Sequence, residues 1–327
     1  MTGLFESTPG NGAKATALAR RGERLGLLLG LAGVAAFAVT LPATRLAVDE
    51  MPVWTVGFGR GALAGLAALV LLLALRAPRP RRSDLPALAA TVLGVVFGFP
   101  LLTTWAMQSV PAAHGGVVIG VLPLATALAA ALVAGERPSV RFWVTALLGS
   151  AAVVTFALLE APAPTEGSAM VSGAGLSIGL TLGDLALLLA VVAAGLGYAS
   201  GARLSRHLPG WAVICWALVL SLPVMLPAAA VSWAVAPPKA AGVGAWAGFF
   251  YVALVSQLAG FFVWYRGLAL GGVARVGQVQ LLQPFLTLIA AALLLAEPIT
   301  PATLIFAVLV VGLVAIGRQQ PVRRSAP

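Results

Sequence analysis

Long uncharged apolar stretches recur along the chain and alternate with short polar segments. A helix that crosses the hydrocarbon core of a bilayer needs about 20 apolar residues, and ten stretches reach or approach this length. They predict transmembrane helices at 25–43, 53–75, 86–108, 115–134, 142–159, 184–202, 211–233, 243–265, 276–296 and 301–317. The pattern therefore predicts an all-α membrane protein with ten transmembrane helices.

The composition agrees with this prediction, because 60% of the 327 residues are hydrophobic and only 9% are charged. A soluble protein of this length needs many more charged residues on its surface. Cys215 is the single cysteine, which excludes a disulfide scaffold and a cysteine metal cluster. We expect it to be a small buried apolar residue.

The net charge of +10 is explained by membrane topology rather than by a nucleic-acid partner. All Lys and Arg residues except Arg45, Arg60 and Lys239 fall in the two terminal segments and in alternate loops. Loops rich in Lys and Arg stay in the cytoplasm. The distribution predicts cytoplasmic N- and C-termini and a location in the cell inner membrane, crossed many times.

A shift of 161 residues aligns the second half of the chain with the first. It pairs Pro123 with Pro284 and Thr126 with Thr287, and seven of the fourteen positions from Pro123 to Glu136 are identical to their counterparts. Each half has five predicted helices, an odd number, so the halves would cross the membrane with opposite polarity. The predicted segments are a cytoplasmic tail at 1–24, a repeat at 25–159, an external linker at 160–182, an inverted repeat at 183–317 and a cytoplasmic tail at 318–327.

These motifs resemble the EamA domain of the drug/metabolite transporter superfamily. The resemblance is carried by the pattern Phe37-x7-Arg45-x6-Pro52-x7-Arg60, by Trp105 to Glu136, and by the echo of that stretch from Tyr265 to Glu297. It covers about residues 25–317. It implies a bacterial inner-membrane exporter of small metabolites, often amino acids, with a central cavity and alternating access.

Arg60 is the one charged residue found inside a predicted helix, apart from Asp184, which we expect to cap the sixth helix. It lies about 11 Å into the second helix, where a cation costs about 2.5–3.5 kcal/mol on insertion scales. Two interpretations stay open. The side chain reaches back to the membrane surface beside Trp54, or it anchors an anion or carboxylate in a cavity.

Other candidate site residues are polar or lie in the motifs that carry the resemblance. Glutamines that faced lipid would lack hydrogen-bond partners, so those of the ninth helix are expected to point inward and to bind substrate or join helices. Pro123 and Pro284 are candidate hinges because proline kinks a helix. The remaining candidates for substrate binding are Gln278, Gln280, Gln283, Thr40, Tyr198 and Trp105.

The function predicted on these grounds is export of small metabolites, with amino acids or similar carboxylate-bearing solutes as cargo. All ten carboxylates lie at helix ends or in loops, which disfavours antiport of cationic drugs and intramembrane hydrolysis. An intramembrane lipid-modifying enzyme and a non-transporting scaffold remain alternatives. The expected partners are a small-molecule substrate and the lipid bilayer, with no nucleic acid, cofactor or metal, and a monomer is compatible with the sequence.

Overall fold

The computed structural model describes residues 9–134, 136–159, 181–238 and 240–296, seven single positions between 301 and 316, and residues 322–324. Within these residues the chain is nearly all helical. Eight helices are long and apolar enough to cross a membrane, and a ninth contains a shorter apolar stretch. In chain order they are α1 (Arg20–Val48), α2 (Val53–Ala74), α3 (Arg82–Ala106), α4 (Ala112–Val133), α5 (Val140–Leu159), α6 (Leu182–Leu204), α7 (Gly210–Val235), α8 (Val243–Gly271) and α9 (Val273–Leu295).

Each of the first nine predicted spans coincides with one of these helices, but several predicted ends are wrong. The helix that contains α1 begins at Pro9, and α8 continues to Gly271. Arg45, Arg203 and Arg266, which were predicted to lie in loops, are therefore helical. Helical hydrogen bonding does not stop at the hydrocarbon boundary, and a long arginine side chain extends from the last turns into the headgroup layer.

Some predicted segments lie largely outside the described residues. These are the tenth helix at 301–317, the linker at 160–182, most of the tail at 318–327, and the charged residues Lys239 and Glu297. Two three-residue strands were not predicted: Glu136–Pro138 pairs antiparallel with Val322–Arg324, with Arg137 opposite Arg323. Apart from this short ribbon, the described residues are helical or in turns and loops, as the predicted all-α class requires.

The most extensive helix packing joins elements that are far apart in sequence. α2 packs along α7, α1 along α8, α6 against α3 and α4, and α4 against α9. At the crossing of α1 and α8, a Cβ atom on Gly26 would lie 2.6 Å from the backbone nitrogen of Gly271, and one on Gly267 would lie 2.8 Å from that of Gly30. Only glycine permits this backbone approach, which gives the close contacts on which helix association in lipid depends.

Proline explains where α1 breaks. The helix is interrupted at Val39, because Pro42 has no N–H and its ring displaces the carbonyl four residues earlier, that of Ala38. The Thr287 hydroxyl of α9 donates a hydrogen bond of 2.9 Å to this carbonyl. A buried carbonyl is thus satisfied from another helix, and α9 is tied to the break in α1.

A second proline, Pro100, leaves a backbone carbonyl without its helical donor in α3. Residues Val92–Gly98 form a π-helical segment, in which each carbonyl accepts from the residue five positions later. For Val95 that residue is Pro100, which has no N–H to give. The Gln257 side-chain amide donates to the Val95 carbonyl instead, at 2.9 Å, from a second π-helical segment at Tyr251–Ala259 in α8.

The helix ends are joined by polar contacts. Asp184 caps α6 as predicted, in a capping box in which its backbone N–H donates to the Thr181 hydroxyl and its carboxylate accepts from the Thr181 N–H. The same carboxylate lies 2.8 Å from His114 Nε2 at the start of α4. At the start of α9, Arg275 forms an ion pair of 2.7 Å with Glu23 at the start of α1. Cys215 is buried, as predicted.

Candidate substrate site

Arg60 lies in the first half of α2, two turns from its start, and is enclosed by protein, with 1% of its surface exposed. One guanidinium nitrogen, Nη2, donates to the Ser256 hydroxyl at 3.4 Å. The hydroxyl oxygens of Ser256 and Thr40 are 2.8 Å apart and share a hydrogen bond. Arg60 of α2, Thr40 of α1 and Ser256 of α8 therefore form one buried polar cluster, which we call the Arg60 cluster.

Local backbone irregularities place the Arg60 cluster. Thr40 is the first residue after the break in α1, and its carbonyl accepts from the Thr44 hydroxyl at 2.7 Å. Ser256 lies in the π-helical segment of α8, where the wider turn buries it together with its neighbour Gln257. Segments of this kind are frequent at functional sites.

The charge of Arg60 is not compensated by any carboxylate among the described residues, whose ion pairs all lie at helix ends. Its Nε and Nη1 atoms have no hydrogen-bond partner within the described part of the chain. A buried cation without a partner carries a large desolvation cost. A carboxylate that entered this region could accept from Nε or from Nη1 and, on the same edge of the guanidinium, from the second N–H of Nη2.

The three glutamines of α9 are buried, each with 5% or less of its surface exposed. Gln280 Oε1 accepts from the Thr126 hydroxyl of α4 at 3.1 Å. Both amide atoms of Gln278, and Oε1 of Gln283, lack a partner among the described residues. Buried amides without partners are rare in folded proteins, so these side chains have unused donors and acceptors that a bound molecule could satisfy.

Tyr198 lies in an aromatic cluster that closes the space between α1, α6 and α8. Its ring stacks on Phe37 with centroids 6.2 Å apart and planes inclined by 12°, and it meets Phe261 and Trp264 edge-on at 5.9 and 5.4 Å. The indole N–H of Trp264 is buried and has no partner in the described ranges. This cluster is a rigid apolar wall.

The candidate hinge prolines occupy equivalent local structures. Pro123 follows a 3-10 turn at Ile119–Val121, and Pro284 follows a 3-10 segment at Gln278–Leu282. Both prolines are buried in the first turn of the α-helix that comes next. A missing N–H at each position explains why the preceding turn is tightened.

The structure brings some of the predicted site residues together and leaves others apart. Thr40 and Arg60 are joined through Ser256. Thr287, one turn after Gln283 in α9, donates to the Ala38 carbonyl and so fixes this part of α9 at the break in α1. Among the residues that the structure describes, no hydrogen bond joins the glutamines or the half-buried Trp105 to Arg60. Ser256 and Gln257 were missed, although the sequence carried a signal: they are adjacent polar residues within the eighth apolar stretch.

Comparison with protein families gives two matches along the chain. The model of the EamA-like transporter family matches residues 24–158 and again residues 181–316. An uncharacterized transporter, YdeK, of Bacillus subtilis (strain 168) is 46% identical over 296 residues, which is 90% of this chain and 97% of that protein. A probable terminal-alkyne amino-acid exporter of Streptantibioticus cattleyicolor is 28% identical over 295 residues, 89% of this chain and 93% of that one. These relatives indicate a transporter rather than an enzyme.

Comparison with solved structures supports the same fold. One solved crystal structure superposes on this chain with a TM-score of 0.68 at 18% sequence identity. The match covers 90% of this chain and 98% of the chain in that crystal structure. Identity at this level bears on the fold alone. The fold, the family matches and the apolar helices together establish a membrane protein that crosses the bilayer several times.

Proposed function

Because the chain belongs to the EamA-like transporter family, we propose that it exports small carboxylate-bearing metabolites, with amino acids as the leading class, by alternating access. The name of one relative, a probable terminal-alkyne amino-acid exporter, supports the direction and the cargo. The substrate site is the Arg60 cluster together with the buried glutamines of α9.

The observation that carries this proposal is the uncompensated guanidinium of Arg60. The side chain is buried, and two of its nitrogens lack partners among the described residues. A carboxylate that bound there would neutralise the charge and accept a bidentate pair of hydrogen bonds. A fixed buried cation favours an anionic group over a cationic one, since a second cation would be repelled at low dielectric constant.

The surrounding polar groups have separate roles. The hydroxyls of Thr40 and Ser256 orient the guanidinium, since Ser256 accepts from Arg60 and is itself bonded to Thr40. Gln278, Gln280 and Gln283 bind the polar remainder of the substrate on the α4–α9 side. Tyr198 forms the apolar wall, and Trp105, which is half-buried on α3, contacts substrate only once the site has opened.

We propose that the fold consists of ten helices in two inverted five-helix repeats. Three structural relations under the 161-residue shift support this. The contact of His114 with Asp184 corresponds to the ion pair of Arg275 with Glu23. A Cβ on Gly116 would contact the Thr287 side chain, and one on Gly277 would contact that of Thr126. Phe37 stacks on its own counterpart, Tyr198.

The main helix pairs fit this arrangement. α1 with α8 corresponds to α6 with α3, while α2 pairs with its counterpart α7 and α4 with its counterpart α9. All four interfaces therefore lie between the proposed repeats, which is where inverted-repeat transporters bind their substrate. We place the protein in the inner membrane with both termini in the cytoplasm, on the basis of its Lys and Arg distribution.

Counterflow in liposomes tests the function. Purified protein is reconstituted in liposomes loaded with an unlabelled amino acid, and entry of the labelled compound is followed for a panel of amino acids. Each is paired with its decarboxylated amine. We expect exchange of at least one amino acid and none of the matching amine. Equal exchange of both members of a pair, or of no member of a broad panel, would contradict the proposal.

Arg60 variants test the site itself. Arg60→Lys keeps the charge but loses the planar fork, so we expect an apparent affinity about tenfold weaker, and Arg60→Ala should reduce exchange to background. Arg76→Ala, at an exposed position just beyond α2, is the matched control and should exchange normally. If folded Arg60→Ala protein exchanges substrate with wild-type affinity, the carboxylate site is wrong.

A further inference from the structure

A groove of about 570 Å³ opens between the start of α1 and α9, and no residue of the Arg60 cluster lines it. One end is lined by charged side chains and the other by aliphatic ones. The lining residues are Arg20, Glu23, Arg24, Arg275, Leu27, Leu28, Leu31, Val279 and Leu282. The groove lies on the membrane face that carries most of the arginine-rich loops.

The charged end of the groove has an excess of positive charge. Glu23 and Arg275 neutralise each other in an ion pair of 2.7 Å. Arg20 and Arg24 are exposed and have no ion pair within the described part of the chain. They are four residues apart, so they project from the same helix face. The groove thus carries two free guanidinium groups side by side.

The aliphatic end continues along the same face of α1. Leu27, Leu28 and Leu31 follow Arg24 at helical spacing, and Leu28 has 65% of its surface exposed. From Arg24 to Leu31 the helix rises about 10 Å, so the exposed leucines extend from the headgroup level into the hydrocarbon. A cationic rim above an apolar floor matches an anionic amphiphile and does not match a small soluble anion.

The 161-residue shift provides an internal comparison. The counterparts of the ion pair, His114 and Asp184, are still paired at the start of α4 and α6. The counterparts of the three leucines, Leu188, Leu189 and Val192, are also exposed. The two free arginines, however, correspond to Thr181 and Leu185. The arginines are therefore not needed to form such a helix pair or its polar contact. They are the feature by which this groove differs from the equivalent surface of the other half.

We infer that this groove binds an anionic glycerophospholipid of the adjoining leaflet. The phosphate accepts hydrogen bonds from Arg20 and Arg24, and one acyl chain lies along Leu27, Leu28 and Leu31. Basic pockets between transmembrane helices are suited to anionic headgroups. A bound lipid would bridge α1 and α9, two helices that belong to different proposed repeats.

Native mass spectrometry of the full chain in neutral detergent tests this inference. Phosphatidylglycerol, phosphatidylcholine and inorganic phosphate are titrated separately, and the fraction of protein with a bound molecule is measured. We expect wild-type protein to bind one phosphatidylglycerol at least tenfold more tightly than phosphatidylcholine. Binding of inorganic phosphate as tight as that of phosphatidylglycerol would replace the lipid with a free-anion site and overturn the inference.

Two variants separate the groove from general membrane electrostatics. Arg20→Gln/Arg24→Gln should lose the preference for phosphatidylglycerol, whereas Arg79→Gln/Arg82→Gln, which removes two exposed arginines outside the groove, should keep it. Leu28→Asn/Leu31→Asn retains every charge and should also weaken lipid binding. This variant tests the site even if the loss of two arginines impairs membrane insertion. An unchanged preference in the arginine variant, or unchanged affinity for phosphatidylglycerol in the leucine variant, would refute the site.

Discussion

Phe37 and Tyr198 stack on one another with their ring centroids 6.2 Å apart, although 161 residues separate them in sequence. The same separation relates the two halves of the chain, so each ring packs on its own counterpart. Both side chains are almost fully buried, and Trp264 meets both of them. The stack therefore lies where α1 and α6 approach, next to the α1 break that leads to Thr40.

We expect Tyr198→Phe to preserve this stack and Tyr198→Ala to destroy it. Removal of a buried aromatic ring costs about 3–5 kcal/mol, whereas loss of the hydroxyl alone keeps the apolar contacts. Thermal unfolding in detergent should give a near wild-type midpoint for the phenylalanine variant and a midpoint lower by several degrees for alanine. Similar midpoints for both variants would show that the ring is not part of the core.

Replacement of Arg60 by methionine should separate stability from transport. Methionine fills a similar volume without a buried charge, and such replacements of buried ionic groups are often neutral or stabilising. We expect Arg60→Met to unfold at the same or a higher temperature than the wild type while its exchange of substrate falls to background. A purely structural arginine would instead give a lower unfolding midpoint.

The hinge prolines should affect the rate of transport more than its affinity. In Pro123→Ala and Pro284→Ala the backbone N–H is restored, so the tightened turn relaxes toward a regular α-helix. We expect each variant to slow exchange several-fold, and the double variant more, with an unchanged half-saturating concentration in the counterflow assay. Pro227→Ala, at an exposed position within α7, is the control and should exchange at the wild-type rate. A wild-type rate of exchange in the double variant would show that the two prolines are not hinges.

The predicted orientation can be measured with introduced thiols. Gly22 and Gly244 each have open space where a Cβ would lie, one before α1 enters the membrane and the other at the start of α8. In a Cys215→Ala background, Gly244→Cys in intact cells should react with an impermeant maleimide, and Gly22→Cys should react only after the membrane is opened. The reverse pattern would invert the orientation.

Much of the fold follows from hydrophobicity because bilayer thickness fixes the length of an apolar helix. This is why nine predicted spans coincide with helices. The cap at Asp184 was anticipated for a different reason, since a short acidic residue at the start of an apolar stretch is typical of a helix N-terminus. Hydrophobicity does not fix where helical hydrogen bonding stops, so the ends of α1 and α8 were placed too early. It also carries no information on π-helical segments, which depend on the position of Pro100 and on the Gln257 amide that satisfies the Val95 carbonyl.

The site was only partly predictable for a related reason. Arg60 and the glutamines stand out as polar residues in apolar stretches, and the structure buries all four. Their neighbours depend on helix rotation and on tertiary packing, which one sequence does not specify. Ser256, a small hydroxyl residue, gains significance only because α8 places it 3.4 Å from Nη2 of Arg60.

The burial of an uncompensated guanidinium has an electrical consequence. A charge inside the membrane dielectric experiences the transmembrane potential, and its full transfer across 100 mV corresponds to about 2.3 kcal/mol. In the proposed cycle, a bound monocarboxylate would cancel the charge of Arg60 during the loaded crossing, whereas a zwitterionic amino acid would leave one net positive charge in the site, as in the empty carrier. The membrane potential would therefore distinguish the loaded from the empty carrier only for a substrate with a net negative charge.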